Sequence, residues 1–570
     1  MNEKAVKFRF FSAGAFFALA LAGLGVRLMF LHFGMAARAG NNHIYTTSIL
    51  AERGRIFDRN GQQNMLALDV AVKDVCADPS IAMRLDNASM LAERLAPLLD
   101  MAEDGLAQQL NRSGQFARLK RFVPDAVADR IAAERLPGVF FHDTILRRYP
   151  QGSSLGHVIG FVNYEGQGSA GVEQRLDRFL RGAPGYLESA LNAKRQELYE
   201  RRGQVIPAMI GADVFLTLDQ NIQHIVERVL EDTVTRHRAK AGLAIVQRVR
   251  TGEILAMANW PVFDPNSFTE STPEQRMNRA VAYNYEPGST FKPMIVAAAL
   301  NEGLATPDTV IDCENGSWLY LNRLLRDVHP YGLLSLADVV QKSSNIGTAK
   351  LGVRMGDRLL YRYLRAFGFG ERTGIDLPGE ERGIVHPVGR WSRLDSSRIA
   401  IGQAVSVTPI QLLNALCAIA NDGVLMRPHV VKEVRRADGK VLFQARPEAL
   451  GRPVRAETAA TVARMLQRVT EDGGTGRRAR LDGYDVAGKT GTAQKVVDGV
   501  YSRTAYVASF AGFLPVEDPE IGILVLIDEP GTEAGYYGGL VAAPAFRQIA
   551  GEAALYLDVL PSRYRLAQSR

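Results

Sequence analysis

A long apolar run stands near the start of the chain, and its length predicts one membrane-spanning helix. The run from Phe10 to Val26 holds 17 residues without a charge, and after Arg27 the apolar residues continue to Phe33. A membrane span needs about 20 such residues, and the long side chain of Arg27 can reach toward the interface. We therefore predict an anchor over residues 10–33. No later apolar stretch approaches this length, so a single pass is expected.

The charges around this run predict its orientation. Lys4, Lys7 and Arg9 precede it, and basic residues accumulate on the cytoplasmic side of a span. We expect residues 1–9 to form a cytoplasmic tail, with the rest of the chain exported across the cytoplasmic membrane. The alternative is a cleaved signal peptide, since Ala37-Arg38-Ala39 resembles a cleavage site. The apolar run is longer than the one usual in signal peptides, which favours the anchor.

Residues 45–212 alternate short strands, turns and helices, which predicts an α+β module. Two strands are expected in RIFDRNGQQNMLAL, around a turn at Asp58 and the pair Asn60-Gly61. The segments MLAERLAPLL and PDAVADRIAAERL have apolar residues at helical spacing. No nucleophile stands beside a base in this region, so we expect a structural or docking function for it.

After residue 212 the pattern changes to longer apolar strands separated by a helical block. Val214–Leu218 is predicted as a strand leading to a helix that Asp219 caps. The β-rich runs on either side of Thr251-Gly252 predict a hairpin. Two more strands are expected in AYVASFAGFLP and EIGILVLIDEP, whereas residues 290–470 are mostly helical.

Strands that are split around a helical block predict an antiparallel sheet assembled from distant segments, with helices packed on it. The predicted fold class is therefore α+β. We expect this second domain to span residues 213–556, and a C-terminal tail to occupy residues 557–570.

Composition and charge narrow the classes of function. With 570 residues, of which 46% are hydrophobic and 23% charged, the chain is a globular protein of more than one domain. Its net charge of +7 favours an anionic partner such as membrane lipid or an acidic polymer. The sequence lacks zinc-finger spacing and the aromatic-basic pattern of RNA-binding modules, so no nucleic acid is expected. Cys76, Cys313 and Cys417 form no CxxC pair, which argues against a metal or redox centre.

Three short motifs in the second domain suggest nucleophilic chemistry. A serine three residues before a lysine can be a nucleophile beside its base, but a Gly-Ser-Thr run can equally start a helix. Each motif alone occurs easily by chance, so the evidence lies in the order and separation of the three. The second motif begins 54 residues after Ser289, and the third begins 200 residues after Ser289. The motifs are Ser289-Thr290-Phe291-Lys292, Ser343-Ser344-Asn345 and Lys489-Thr490-Gly491-Thr492.

The segment around Ser289 is predicted to start a buried helix. A helix beginning at Ser289 puts Lys292 one turn away on the same face, and Pro293 suits a first turn, where backbone N–H groups lack partners. The following MIVAAAL is apolar nearly all round, so the helix should be buried. Burial lowers the pKa of a lysine. We hypothesise that Lys292 takes the proton of Ser289, which attacks a carbonyl to form an acyl-enzyme.

The motifs together resemble those of the penicillin-binding proteins, whose Ser-x-x-Lys, Ser-x-Asn and Lys-Thr-Gly signatures form this trio. AERGRIFDRNG, RRYPQGSSLGHVIG and GVEQRLDRFLRG are similar to the pedestal motifs of the class B members. AMANWPVFDPN, GQAVSVTPIQLLNA and YYGGLVAAPAF are similar to their transpeptidase domain. The resemblance covers nearly the whole chain and is strongest to the septal, FtsI-type transpeptidases. It implies an elongated pedestal (dimerisation-type) domain over 45–212 and a transpeptidase domain over 213–556.

The resemblance also implies roles for the first two motifs. Ser289 is the nucleophile and Lys292 its base. Ser343 relays protons between Lys292 and the leaving amine, and Asn345 binds the peptide of the substrate. Backbone N–H groups of Ser289 and Thr492 form the oxyanion hole.

The third motif is expected on an edge strand that binds substrate. Lys489 would supply positive potential for a terminal carboxylate, and the hydroxyls of Thr490 and Thr492 would donate hydrogen bonds to it. Gly491 has no side chain, so a peptide could lie directly against the strand.

The implied reaction is D,D-transpeptidation in septal cell-wall synthesis. A stem peptide ending in D-Ala-D-Ala acylates Ser289, the last D-Ala leaves, and the amine of a neighbouring stem peptide resolves the acyl-enzyme. β-Lactams would acylate the same serine, and no metal or organic cofactor is expected. Since no glycosyltransferase domain fits between anchor and catalytic domain, the resemblance implies a membrane-embedded glycan polymerase and divisome membrane proteins as partners.

Several alternatives remain open at this point. An elongation-type enzyme of the same class differs in where it acts, and a D,D-carboxypeptidase differs only in using water as the acceptor. A β-lactamase would share the three motifs without needing an anchor and a pedestal of this size. A non-catalytic scaffold or β-lactam sensor would not need Ser289 for growth.

Overall fold

The computed structural model of the chain describes residues 13–30, 44–61, 63–190, 204–497, 499–531, 533 and 535–562. By its internal contacts the chain divides into two compact units, one of Met1–Ala51 with Gly182–Ile210 and the other of Glu52–Arg181 with Gly211–Arg570. Several predicted features lie outside the described residues. They are the tail over 1–9, residues 10–12 and 31–33 of the anchor, the cleavage site Ala37-Arg38-Ala39, and residues 563–570 of the C-terminal tail.

The helices and strands of the described residues are numbered in chain order. The helices are α1 (Ala13–Phe30), α2 (Pro79–Arg84), α3 (Ala88–Leu99), α4 (Glu103–Leu110), α5 (Asp125–Ala133), α6 (Gly156–Ile159), α7 (Gly171–Arg175), α8 (Asp177–Leu180), α9 (Gln220–Arg236), α10 (Pro273–Arg276), α11 (Arg279–Ala282), α12 (Lys292–Asn301), α13 (Leu336–Lys342), α14 (Asn345–Met355), α15 (Asp357–Ala366), α16 (Asp395–Ile399), α17 (Pro409–Ala420), α18 (Ala456–Gln467) and α19 (Gly538–Tyr556). The strands are β1 (Ile44–Ile49), β2 (Ile56–Phe57), β3 (Met65–Ala77), β4 (Ala117–Val123), β5 (Val139–Arg148), β6 (Gly185–Ala190), β7 (Val205–Ile206), β8 (Asp213–Leu216), β9 (Ala241–Arg248), β10 (Ile254–Trp260), β11 (Val310–Asp312), β12 (Ser317–Tyr320), β13 (Arg323–Arg326), β14 (Leu333–Ser335), β15 (Leu425–Met426), β16 (Val431–Arg435), β17 (Val441–Gln444), β18 (Ala449–Gly451), β19 (Ala487–Val497), β20 (Val500–Leu514) and β21 (Ile521–Asp528).

The first unit holds an apolar helix and a small sheet. Helix α1 has 18 residues and a mean hydropathy of 1.8, and none of it is buried inside the folded chain. It is long and apolar enough to cross a membrane, and it covers the described part of the anchor predicted over 10–33. Strands β1, β6 and β7 form an antiparallel sheet in that order.

The second unit begins with a sheet backed by helices, in the region of the predicted pedestal. Strand β3 pairs antiparallel with both β4 and β5, and helices α2–α5 share a core with them that contains Leu91, Leu106 and Ile131. Strands β2 and β3 pair around the turn predicted at Asp58. Helices α3 and α5 confirm the helical spacing of MLAERLAPLL and PDAVADRIAAERL.

One sheet runs across the boundary that the sequence suggested between residues 212 and 213. Strand β2 pairs in parallel with β8, and β8 continues antiparallel to β16 and then β17. The backbones approach closely at Gly54, where a Cβ atom would lie 1.9 Å from the carbonyl oxygen of Ala212. Backbone hydrogen bonds therefore join the pedestal residues to the domain that follows.

A buried ionic network ties together pedestal segments that are far apart in sequence. The Arg53 guanidinium donates to Glu173 at 2.7 Å and to Asp177 at 2.8 Å. Arg147 donates to the other oxygen of Glu173 at 2.7 Å and to Asp69 at 3.0 Å. Burial acts to lower the pKa of Arg147, but the charges of Glu173 and Asp69 outweigh it and raise the pKa. Each buried guanidinium is thus matched by carboxylates, as a structural ion cluster requires.

Asp58 joins the pedestal to helix α9. Its carboxylate accepts hydrogen bonds from the side chains of Asn60 at 3.1 Å and Asn64 at 2.8 Å. It also accepts one from the backbone N–H of Gln220 at 3.3 Å, where a negative charge is favoured by the start of the helix. Asp219 caps the same helix as predicted, accepting from two backbone N–H groups.

A five-stranded antiparallel sheet forms the centre of the following domain, in the order β10-β9-β21-β20-β19. The hairpin predicted at Thr251-Gly252 joins β9 to β10, and β20 and β21 are the two strands predicted near the C-terminus. Helices α9 and α19 share one core with the sheet, while α12, α14, α17 and α18 belong to a second core. The expectation of an α+β fold, with an antiparallel sheet assembled from distant segments and flanked by helices, is confirmed.

The block over residues 290–470 is mainly helical, with short strand pairs that the sequence did not indicate. Strand β11 pairs with β14, β12 with β13, and β15 with β18, each antiparallel. These strands have two to four residues each, too few for a recognisable alternation of apolar and polar positions.

All three cysteines are buried and carry free thiols. Cys76 lies in β3 and Cys417 in α17. Cys313 lies between β11 and β12, where its sulfur accepts a hydrogen bond from the hydroxyl of Ser344 at 3.3 Å. Burial raises the pKa of each thiol, so the reactive thiolate is disfavoured at all three positions.

Candidate active site

Ser289 lies in a tight turn that runs directly into a buried helix. Residues Gly288–Phe291 form a single 3₁₀ turn, and helix α12 begins at Lys292. The prediction that the α-helix begins at Ser289 is therefore wrong by three residues, and Ser289 is not its N-cap. Residues i and i+3 eclipse in a 3₁₀ turn, so Ser289 and Lys292 still share one face. Pro293 lies in the first turn of α12, and residues 292–299 are buried, as expected.

Lys292 is a buried amine held by neutral oxygen atoms. Its Nζ donates to the carbonyl oxygen of Ser343 at 2.7 Å, to Oδ1 of Asn345 at 2.8 Å and to the hydroxyl of Ser343 at 3.3 Å. Burial lowers its pKa to about 7, although the negative charge of Asp327 acts to raise it. A lysine with this pKa is partly neutral near neutral pH and can accept a proton.

The loop that carries Ser343 and Asn345 is fixed by a left-handed residue and a carboxylate. Helix α13 ends at Lys342, and the next residue, Ser343, caps it with a φ of +59°. Asp327 accepts hydrogen bonds from the hydroxyl of Ser344 at 2.6 Å and from the backbone N–H groups of Asn345 and Ile346. The loop therefore holds the hydroxyl of Ser343 and the side-chain oxygen of Asn345 beside Lys292, while the Nδ2 of Asn345 donates to the carbonyl oxygen of Arg326 at 2.9 Å.

Lys489 brings a second buried amine to the same hydroxyl. Its side chain is 0% exposed, and its Nζ donates to the hydroxyl of Ser343 at 2.7 Å and to the carbonyl oxygen of Thr490 at 3.2 Å. Burial lowers the pKa of Lys489 well below its usual value, and the positive charge of Lys292 lowers it further. Ser343 thus bridges two amines of lowered pKa, an arrangement suited to passing a proton between them. The suggestion that Lys489 attracts a carboxylate stays a prediction, since its amine lies on Ser343.

Thr490 and Thr492 lie on β19, which is the edge strand of the sheet as predicted. The hydroxyl of Thr490 forms a hydrogen bond with that of Thr475 at 2.8 Å, and the hydroxyl of Thr492 accepts one from the N–H of Gly538 at 3.1 Å. Both hydroxyls are therefore oriented by neighbours. An edge strand also leaves part of its backbone free to pair with an extended peptide.

The structure gives a different reason for a glycine at position 491 from the one expected. A Cβ atom there would lie 2.4 Å from the hydroxyl oxygen of Ser509 and 2.8 Å from a side-chain carbon of Thr290. The bare face of Gly491 is thus covered by the protein itself and not by substrate. The glycine allows β19 to pack directly against the turn that carries Ser289.

Several residues that position the site were not found from the sequence. Gly288 donates a backbone hydrogen bond to Gly402 at 3.1 Å, and a Cβ at Gly402 would lie 2.2 Å from the carbonyl oxygen of Gly288. The carboxylate of Glu286 accepts from the N–H of Ala404 at 2.9 Å and from the hydroxyl of Tyr501 at 3.0 Å. Gly402 and Ala404 belong to the segment GQAVSVTPIQ, in which no residue by itself indicates a contact with the turn of Ser289.

The site as a whole offers the hydroxyl of Ser289, two amines of lowered pKa and the hydroxyl of Ser343 that bridges them. The structure brings Lys292, Ser343, Asn345 and Lys489 into direct contact and places β19 against the turn of Ser289. Among the described residues no group of three His, Cys, Asp or Glu side chains could hold a metal. Such an arrangement can perform acyl transfer through a serine ester.

Comparison with known proteins agrees with this chemistry. Residues 242–551 match the penicillin binding protein transpeptidase domain, and residues 48–216 match the penicillin-binding protein dimerisation domain. The probable peptidoglycan D,D-transpeptidase PenA of Neisseria meningitidis is 35% identical over 560 aligned residues, which cover 96% of this chain and 92% of PenA. The chain belongs to the class B penicillin-binding proteins.

Other relatives of this class B penicillin-binding protein span most of its length. The peptidoglycan D,D-transpeptidase FtsI of Escherichia coli K12 is 34% identical and covers 90% of the chain, which spans 85% of FtsI. The crystal structure of penicillin-binding protein 3 of Mycobacterium tuberculosis complexed with aztreonam matches with a TM-score of 0.70 and 30% identity, covering 90% of this chain and 98% of that one. The predicted two-domain architecture of the family is confirmed at the level of the fold.

Proposed function

We propose that this penicillin-binding protein is a serine-type peptidoglycan D,D-transpeptidase that crosslinks stem peptides during septal wall synthesis. The observation that carries the proposal is the hydroxyl of Ser343, which both Lys292 and Lys489 approach within hydrogen-bonding distance, at 3.3 and 2.7 Å. The family match over residues 242–551 and full-length relatives named D,D-transpeptidases support the same activity.

Acylation begins with neutral Lys292. It accepts the proton of Ser289, whose oxygen attacks the carbonyl of the penultimate D-Ala of the donor. Backbone N–H groups of Ser289 and Thr492 stabilise the oxyanion. The C–N bond to the last D-Ala then breaks, and its amine takes up the proton through Ser343, which leaves an ester on Ser289 and a neutral Lys292.

Transfer to the acceptor repeats these steps in reverse. The amine of a second stem peptide attacks the ester carbonyl and loses a proton through Ser343 to Lys292. The C–O bond to Ser289 breaks, and the serine oxygen recovers the proton from Lys292. The product is a new peptide bond between two stem peptides, and each group of the enzyme returns to its starting state.

The donor binds along the edge of β19. Its backbone pairs with the strand beyond Gly491, while Asn345 holds its amide from the opposite side. The hydroxyls of Thr490 and Thr492 meet its terminal carboxylate, and Lys489 contributes positive potential when it is protonated.

The apolar helix α1 is the single-pass anchor of the enzyme in the inner membrane. We propose a cytoplasmic N-terminus and a periplasmic catalytic domain, because Lys4, Lys7 and Arg9 precede the apolar run. In this position the catalytic domain meets peptidoglycan made by a membrane-embedded glycan polymerase, and divisome membrane proteins are the expected partners.

The first test is covalent labelling of the purified full-length protein by a fluorescent penicillin. We expect the wild type and the exposed-serine control Ser113→Ala to be labelled, and Ser289→Ala to remain unlabelled at an unchanged melting temperature. Labelling of Ser289→Ala would contradict the assignment of the nucleophile.

A second test separates transpeptidation from the alternatives. Incubated with stem peptides and a glycan polymerase, the enzyme should produce crosslinked dimers, whereas trimmed monomers alone would indicate a D,D-carboxypeptidase. Fast release of the penicilloyl group would indicate a β-lactamase, and growth supported by Ser289→Ala would indicate a scaffold or sensor. A fluorescent fusion should concentrate at midcell, since a lateral distribution would indicate an elongation-type enzyme.

A further inference from the structure

A cleft of about 710 Å³ lies where pedestal residues meet helices α9 and α19. All of its lining belongs to the second compact unit, and its volume is within the range of small-molecule sites, about 300–1,000 Å³. Among the described residues, its lining includes no lysine, arginine, aspartate or glutamate. Amide and hydroxyl side chains dominate the lining and come from Asn64, Gln151, Ser154, Gln220, Asn221 and Tyr556.

Two glutamine side chains of the cleft are available to a ligand. The side-chain amides of Gln151 and Gln220 form no hydrogen bond with any other residue that the structure describes. The imidazole of His224, which also lines the cleft, is exposed and likewise has no such bond. Each glutamine amide has two N–H donors and an acceptor oxygen. The cleft therefore offers both donors and acceptors.

Ser154 and Asn64 are held with acceptor atoms still unused. The hydroxyl of Ser154 donates to Glu227 at 2.8 Å, so its oxygen lone pairs stay available. The Nδ2 of Asn64 donates to Asp58 at 2.8 Å, while its Oδ1 accepts no hydrogen bond within the described part of the chain. These groups are oriented before any ligand arrives, which lowers the cost of binding.

Carboxylates behind the lining give the cleft a preference for uncharged molecules. The hydroxyl of Tyr556 donates to Asp219 at 3.2 Å and accepts from the amide of Asn221 at 2.9 Å. Asp219 therefore stands one hydrogen bond behind the surface of the cleft, as Asp58 and Glu227 do. Their negative potential disfavours an anionic ligand, and a neutral molecule rich in hydroxyl and amide groups fits the lining best.

The cleft is separate from the catalytic groove. Ile225, the apolar member of its lining, packs against the core that α9 and α19 share with the sheet. Helix α12, which follows the turn of Ser289, contributes to the other core. None of the lining residues belongs to the three motifs. A molecule in the cleft therefore does not take the place of the reacting peptide.

We propose that this cleft binds the glycan chain of peptidoglycan through its β-linked, N-acetylated amino sugars. The backbone of such a chain is uncharged, its hydroxyls both donate and accept, and its acetamido groups match the amides of Gln151 and Gln220. The ring of Tyr556, 40% exposed, offers a flat face to a sugar ring.

The inference rests on the proposed function, which makes peptidoglycan the substrate, and adds a second binding site to it. Stem peptides are attached to the glycan chain. A chain held in the cleft therefore raises the local concentration of its peptides around the same enzyme molecule.

The test measures glycan binding by the full-length protein in a detergent without a sugar headgroup. Fluorescently labelled chitotetraose, a chain of β-linked N-acetylglucosamine, is titrated and followed by fluorescence anisotropy. We expect saturable binding with a Kd below about 1 mM. In Gln151→Ala and in Gln220→Ala binding should be about fivefold weaker, as for the loss of a neutral hydrogen bond. Unlabelled cellotetraose, with hydroxyls in place of acetamido groups, should compete about fivefold less well than unlabelled chitotetraose.

Gln108→Ala is the matched control, since Gln108 is an exposed glutamine of helix α4 and does not line the cleft. It should bind chitotetraose like the wild type, and all three variants should be labelled by a fluorescent penicillin at the wild-type rate.

Absence of saturable binding by the wild type, at normal penicillin labelling, would overturn the glycan site and leave the proposed function intact. Unchanged affinity in both cleft variants would place the glycan elsewhere and would also overturn it. Equal competition by cellotetraose would overturn the assignment to N-acetylated sugars. Normal chitotetraose binding without penicillin labelling would instead contradict the proposed function.

Discussion

The pedestal and the catalytic site both bury charged side chains, but they treat the charge in opposite ways. In the pedestal, Arg53 and Arg147 contact three carboxylates at 2.7–3.0 Å. In the site, Lys292 and Lys489 contact hydroxyl, carbonyl and amide oxygens, and within the described residues neither forms an ion pair. In the pedestal the pKa of Arg147 is raised, whereas in the catalytic site the pKa values of Lys292 and Lys489 are lowered.

The difference shows two uses of a buried charge: paired charges stabilise the fold of the pedestal, whereas unpaired amines supply reactive groups in the site. A matched cluster keeps its opposite charges paired and fixes segments of chain in one arrangement. An unmatched amine loses its proton easily, so it destabilises the fold slightly and gains the ability to act as a base. The two regions should therefore respond differently to the loss of one charged group.

The largest effect is expected for Lys292→Met, which removes the base and keeps the volume. Acylation by a β-lactam should slow by about 10³- to 10⁴-fold. The melting temperature should stay the same or rise, because an unmatched buried amine is removed. Stopped-flow acylation and a thermal melt measure the two, and a large loss of stability with little change in rate would reverse the comparison.

The opposite pattern is expected for Glu173→Gln in the pedestal. Both arginines lose a partner, which should lower the stability by about 3–5 kcal/mol. The acylation rate per folded molecule should not change. Chemical denaturation followed by intrinsic fluorescence measures the first, and penicillin labelling at low denaturant measures the second. Glu165→Gln, an exposed residue of the same region, should change stability by less than about 0.5 kcal/mol.

A smaller effect on acylation is expected for Gly491→Ala. The added methyl group meets Ser509 and Thr290 at 2.4 and 2.8 Å, so β19 has to move away from the turn of Ser289. Misplacement of a reacting group by about 1 Å costs about 10²-fold in rate. Gly451→Ala, where a Cβ atom meets nothing within 4 Å, is the control and should acylate normally.

The smallest effect is expected in the pH dependence of the acylation rate of the wild-type enzyme. Only neutral Lys292 accepts a proton, and its pKa is lowered to about 7. The acylation rate should therefore fall about tenfold for each pH unit below this value and level off above it. A profile that rises steadily to pH 10 would show that Lys292 has the pKa of an exposed lysine, and the contrast with the pedestal would disappear.

Much of the fold could be predicted because its signals are local. The cap at Asp219, the hairpin at Thr251-Gly252 and the strands near the C-terminus depend on neighbouring residues, and the structure has them as expected. The order and spacing of the three motifs also selected residues that the structure brings into contact, namely Lys292, Ser343, Asn345 and Lys489. What they could not give is contact across long separations, such as the 120 residues between Arg53 and Glu173.

Other details depend on packing that no local pattern encodes. Asp327 acts on a loop 17 residues away, and nothing near it in sequence distinguishes it from a solvated aspartate. The 3₁₀ turn that precedes α12 packs closely against Gly402 and β19, and these contacts involve residues far away in sequence. The true reason for Gly491 likewise appears only when Thr290 and Ser509 are seen against it.

The three buried thiols give the protein a built-in set of reporters for local opening. Cys76 reports on the pedestal strand, Cys313 on the loop behind Asn345, and Cys417 on the helix that packs beneath the sheet. A thiol reagent can reach each one only when its surroundings open. The order in which the three are modified, read by mass spectrometry, would therefore rank the pedestal, the catalytic loop and the central core by how often each comes apart.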